Sequence, residues 1–139
     1  MSATTATAAL ALTDQDKATI RSAAWGAVSL VAAASDKPHK AATAGSIALG
    51  SATGQVGHLL NAKSRDIHLS GKTVADLADQ VLPALTVAFA VLDQQDPAEA
   101  ANLRTTVLVA IEAAAATSRT GQPVVAEMTR KVAAALHAA

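Results

Sequence analysis

Cysteine and tyrosine are absent, and 139 residues hold one tryptophan and one phenylalanine. Without cysteine the chain forms no disulfide, thiolate metal site or Fe–S cluster, and it performs no thiol catalysis. The lack of cysteine is compatible with a reducing compartment. Charge of one sign is also missing: eleven Lys and Arg balance eleven Asp and Glu. A neutral chain is poorly suited to coating nucleic acid or an anionic membrane. The basic residues are scattered, and there is no aromatic interleaving for base stacking. The N-terminal stretch has no basic segment followed by an apolar one, so it does not read as a secretory signal. The longest uncharged apolar stretch, Ala23–Ala34, is too short to span a bilayer, and Ala78–Leu92 is interrupted by Asp79, Gln80, Pro83 and Thr86. We therefore expect one soluble, cytoplasmic domain that binds neither membrane nor nucleic acid.

What is abundant is alanine, 37 residues of the 139. It is the best helix former because it loses no side-chain entropy. Each alanine buries little area, so the core is thin, and a small chain gains by covering more surface with a partner. The composition is common in proteins from GC-rich bacterial genomes, a remark about codons.

Helical spacing organises nearly the whole sequence. Residues 1–12 are Ala/Thr-rich and unpatterned, and they read as a flexible N-terminal arm ahead of a helical domain spanning 13–139. Thr13 and Asp16 form a capping pair for a first helix. Its stripe is Ile20, Ala24, Val28 and Val31, with Trp25 at the edge, and it stops at Ser35-Asp36-Lys37-Pro38. Asp36 is the expected cap of a second, Gly-rich helix running from His39 to about Asn61. Ile67–Gly71 reads as a loop. Thr73 with Asp76 caps a third helix whose stripe is Val74, Leu77, Val81, Leu85, Ala88 and Leu92. Pro83 falls inside that stripe. Because the stripe keeps its phase across the proline, one kinked helix is preferred over two shorter ones. Asp96-Pro97-Ala98-Glu99 is the clearest start, that of a fourth helix. Leu108 and Val109 make its centre apolar almost all round, so it is expected to be the most buried. A fifth follows Thr120-Gly121-Gln122-Pro123. No run alternates with period two. The expected fold is all-α, a single-domain five-helix bundle with one Gly-rich and one Pro-kinked helix.

The second helix holds the most informative pattern. Ser46, Gly50, Gly54 and Gly57 fall at i, i+4, i+8 and i+11, on one face of a continuous helix. With Gly45, the four glycines cost roughly 4 kcal/mol against alanine, so something must offset them. Small residues at this spacing let another backbone approach. That backbone belongs to the same chain or to a second copy; the other readings are a ligand on the glycine face, or a helix that breaks near Gly45 or Gly50. On this pattern Gly54→Ala is expected to be neutral to destabilising, and Gly45, off the face, to tolerate alanine.

Other constellations are weaker. Ser70-Gly71-Lys72-Thr73 has the shape of a P-loop tail, but the residue five before Gly71 is Asp66, whose carboxylate repels phosphate. What remains is a weak anion-site candidate at Gly71, Lys72 and Thr73. No histidine pair stands at i+3 or i+4. His39 and His58 lie about 28 Å apart along a continuous helix. His58, Asp66 and His68 converge only if the loop between them folds favourably. Thr105, Glu112 and Arg119 recur at seven residues, a polar stripe that argues for an exposed Glu112. No nucleophile–base–acid set emerges, and no catalytic residue, metal or cofactor is assigned.

The functional expectation is a structural or interaction protein. It self-associates as a homodimer through close-packed Ala/Gly faces of the second and third helices, or docks on a protein partner. The alternative is a helical module whose thin core leaves a pocket for a small apolar ligand.

Overall fold

The computed structural model describes residues 10–62, 67, 69, 72–119 and 122–137. Among them are six helices and no strand: α1 (Asp14–Ala34), α2 (Pro38–Gly50), α3 (Gly54–Leu60), α4 (Val74–Gln95), α5 (Pro97–Ala115) and α6 (Pro123–His137). The all-α expectation holds; the count of five does not. The difference lies in the Gly-rich helix, which ends at Gly50 and restarts at Gly54. The run Gly50-Ser51-Ala52-Thr53-Gly54 consists of poor helix formers around one alanine, and it offers the core no large side chain. Thr53 is extended, and Gly54 takes φ +74°, a left-handed value that suits glycine.

Three of the four prolines open helices, Pro38, Pro97 and Pro123, where the missing N–H costs nothing. The fourth, Pro83, lies inside an unbroken α4. The capping pairs act as expected. Thr13 and Asp16 cap each other's backbone at α1, and Thr73 Oγ1 accepts the Asp76 N–H at 3.0 Å. Asp96 accepts from Ala98 and Glu99 at the start of α5. Asp36 does not cap α2. Lys37 occupies that position, and the Asp36 carboxylate faces Arg119 instead, 3.6 Å from its Nε.

α1 is the central helix and touches all five others. Ten of its residues are buried, from Ile20 to Ala32. This corrects the expectation that the helix after Asp96 is the most hidden: in α5, Val109 is 52% exposed and Leu108 half-buried. An alanine-rich helix with a glycine in its middle accepts neighbours on every side; bulky Leu108 and Val109 do not. The close approaches are visible. A Cβ on Gly26 would meet Val81 of α4 at 2.7 Å, and one on Gly45 would meet Val28 of α1 at 2.6 Å. Two glycine notches thus receive two valines, one on each side of α1.

Arg104 closes the far end. Its guanidinium donates to the Leu136 carbonyl at the end of α6 and lies 4.1 Å from the Phe89 ring centroid. Thr86 Oγ1 donates to the neighbouring Ala135 carbonyl at 2.8 Å.

Candidate functional site

A seven-residue helix does not stand alone in water. Each end of α3 is completed by another helix. At its start Thr53 supplies no side-chain cap, and the Glu99 carboxylate of α5 accepts the Val56 N–H at 3.0 Å. Asn102, one turn on, donates to the Thr53 carbonyl at 2.8 Å. At its end Arg21 Nη1 donates to the Leu59 carbonyl at 3.2 Å, and Trp25 Nε1 to the Leu60 carbonyl at 3.0 Å. An acid at the positive end of α3 and a cation at the negative end both favour its dipole. Arg21 is 7% exposed, the one charged side chain among the buried residues described.

Against this corner lies the chain before α1. The Leu10 N–H donates to Gln55 of α3 at 2.9 Å, and Ala11 exchanges two hydrogen bonds with the Gln95 side-chain amide at 2.6 and 2.7 Å. Leu10 and Leu12 pack on the core from there. Residues 1–9, the rest of the expected arm, lie outside the described residues. Between this segment, α1 and α3 is a cavity of about 490 Å³, with Leu10, Leu12 and Leu59 as its apolar wall and Lys17, Arg21 and His58 as its polar side. A second cavity, about 430 Å³, lies between α1 and α4. Asp14, Gln15, Thr19 and Gln80 give it a more polar lining.

The four small residues read from the sequence do not share a face, because the helix turns between Gly50 and Gly54. Ser46 is half-buried. Gly50 is exposed, and a Cβ there would find only Asn61 Oδ1 at 3.9 Å. At Gly54 a Cβ would meet Glu99 and Asn102 side chains at 3.1–3.3 Å, and the positive φ adds strain. Gly57 is the close-packed member: a Cβ would lie 2.3 Å from the Ala52 carbonyl oxygen. Its neighbour is the backbone of its own chain, across the α2–α3 turn. Gly45, expected to tolerate alanine, meets Val28 instead. The side of α2 that packs inward is Ala41, Gly45 and Leu49, not the side of Ser46 and Gly50.

Of the weak anion-site candidates, Lys72 and Thr73 are exposed and Thr73 is occupied in capping α4, while Gly71 lies outside the described residues. Asp66 and His68 lie outside them too. Glu112 is exposed, as its polar stripe implies. Comparison with protein-family models, with curated proteins and with solved structures finds no match.

The sequence reading missed Arg21, Glu99 as a partner of α3, and Gly26. Arg21 and Trp25 stand at i and i+4 beside the core stripe, a spacing that puts two donors on one face. Nothing in the sequence told which carbonyls they would reach.

Several large apolar side chains are exposed, Ile47, Val87, Val109 and Val124 among them, and Val87, on α4, belongs to an uncharged stripe. Residues 80–92 of α4 carry no charge, and Pro83, Val87, Ala90, Val91 and Gln94 recur along its outer side. Val87 is 52% exposed. α4 has a mean hydropathy of 1.5 over its most apolar 18 residues, a window of which 33% is buried. By length and composition it is the one helix among the described residues able to cross a membrane.

Proposed function

We propose that this chain is a helical interaction protein that pairs with a second copy of itself through the outer side of α4. The exposed, uncharged stripe around Val87 supports this reading more than any other feature. An apolar stripe along a helix whose inner side is already packed on α1, α5 and α6 gains free energy by being covered. An uncharged patch on a neutral chain meets its own copy without like-charge repulsion, as a two-fold interface requires. The seam differs from the one expected on Ser46, Gly50, Gly54 and Gly57, because Gly57 is filled from within the chain and the turn after Gly50 takes Gly54 and Gly57 off the line of Ser46 and Gly50.

Sedimentation equilibrium tests this. The expected result is a mass twice that of the chain, falling to one chain mass in Val87→Lys with the helical circular dichroism unchanged. Because Val87 is exposed in the single chain, the lysine harms the interface and not the fold. A parent protein that sediments as a monomer at high micromolar concentration overturns the reading, and so does a Val87→Lys protein that dimerises as well as the parent.

A further inference from the structure

The cavity between Leu10–Leu12, α1 and α3 brings an apolar wall and basic side chains together. Its wall is apolar, formed by Leu10, Leu12 and Leu59. Its polar side carries Lys17 and Arg21, one turn apart on α1, and His58 from α3. Among the described residues no acidic side chain lines it. The Glu99 carboxylate stands behind Gly54 and is engaged by the Val56 N–H and Asn102. Arg21 is held in place through its bond to the Leu59 carbonyl. Lys17 makes no ion pair or side-chain hydrogen bond among the described residues, so its ammonium is available at the mouth. At about 490 Å³ the space lies within the range of small-molecule sites.

We infer that this cavity binds a small amphiphilic anion, a carboxylate carried on a short alkyl or aryl tail. The tail lies along Leu10, Leu12 and Leu59, and the head faces Lys17 with His58 as a hydrogen-bond partner. The Lys17 ammonium selects the head, since a cationic head would meet a like charge there and a neutral one would leave it unpaired. The wall selects the tail, since a bare inorganic anion leaves the exposed parts of Leu10 and Leu12 uncovered. The segment 10–12, tied by Gln55 and Gln95, forms one side of the site, so ligand binding also fastens that segment to α3.

The test uses the full chain, octanoate as the probe and octanamide as its uncharged counterpart, followed by calorimetry and by amide shifts in nuclear magnetic resonance. Octanoate is expected to saturate one site per chain and to shift the amides of Leu10, Leu12 and Leu59. Lys17→Gln, a substitution at a partly exposed position, weakens octanoate about fivefold, the scale of one exposed ion pair, and leaves octanamide unchanged. Octanoate that does not saturate, shifts confined to α4, or a Lys17→Gln protein that binds octanoate like the parent overturns the inference. The site is independent of pairing through α4: Val87→Lys binds octanoate as the parent does, so failure of either proposal is seen separately.

Discussion

α4 runs unbroken through Pro83, whereas the segment from Gly45 to Gly57 turns at Ser51–Thr53 into two helices. Proline costs a helix interior about 3 kcal/mol against alanine and glycine about 1 kcal/mol, so intrinsic propensity ranks the two segments the wrong way round. What decides is the fate of the freed backbone and of the core face. Pro83 is exposed, and the carbonyl it leaves without a partner is that of Asp79, also at an exposed position where water serves it. The inner side meanwhile keeps Val81, Leu85, Ala88 and Leu92 in register, all buried. The glycine segment has no such hold. Between Leu49 and Val56 the core stripe offers only Ala52 and Thr53, and the turn there still leaves Val56, Leu59 and Leu60 inside. The ends it exposes find Glu99, Asn102, Arg21 and Trp25 waiting. Helix continuity here is a property of partners more than of residues.

The severest way to break this contrast is at the turn itself. Gly57→Ala places a methyl 2.3 Å from the Ala52 carbonyl oxygen, and the obstacle is backbone, which has no rotamer to change. We expect a loss of about 3 kcal/mol in denaturant unfolding. A protein as stable as the parent would mean that α2 and α3 do not fold back on each other. Next comes Gly45→Ala. The neighbour is Val28, β-branched, 3% exposed and stiff in a helix, so it yields little. The overpacking exceeds the gain in helix propensity, for a net loss of about 1–2 kcal/mol. An unchanged or raised midpoint would show that α1 and α2 cross elsewhere.

Glu99→Ala tests the partners directly. It removes the acceptor for Val56 N–H and leaves that donor part-buried. A loss of about 1–2 kcal/mol is expected, the scale of a helix cap. Faster hydrogen exchange at Val56 and Gly57 should accompany it, with α4 unaffected. Glu99→Gln keeps an oxygen in place and should recover part of the loss. Equal exchange rates in the parent and Glu99→Ala would leave α3 standing without its cap and remove the explanation given for the turn. Pro83→Ala probes the other side of the comparison. The alanine restores one hydrogen bond, and the flexibility it returns to the unfolded chain offsets part of that. We expect a gain of about 1 kcal/mol, measured in the Val87→Lys background so that pairing does not enter.

The elements bounded by caps and prolines were legible in the sequence, because those signals are local. Thr13, Thr73, Asp96, Pro97 and Pro123 all lie where a helix begins. The all-α class followed from stripes such as Leu77–Val81–Leu85. The glycine segment was not legible, since whether a run of small residues bends depends on what receives its ends. Glu99 lies more than forty positions from the amide it caps, as its own helix start gave a sufficient local reason for an acid there. Ser46, Gly50, Gly54 and Gly57 align only if the helix is straight. Once it turns, the same spacing carries no common face, and among the described glycines those with a neighbour nearer than 3 Å to a Cβ are Gly26, Gly45 and Gly57.

Gly50→Ala should show the smallest effect, and it takes the sign opposite to Gly45→Ala and Gly57→Ala. Gly50 is the last residue of α2, exposed, with no positive φ. A Cβ there finds only the Asn61 side-chain oxygen, at ordinary contact distance. Alanine therefore adds no strain to the folded chain and removes freedom from the unfolded one. That should raise stability by about 0.5 kcal/mol. Gly50 and Gly57 are seven residues apart, two turns of a straight helix, and would then occupy equivalent places on one face. Opposite signs at the two positions are what a turned segment requires and a straight glycine face forbids. If Gly50→Ala destabilises as much as Gly57→Ala, both glycines face a close neighbour, and α2 continues into α3 without the turn.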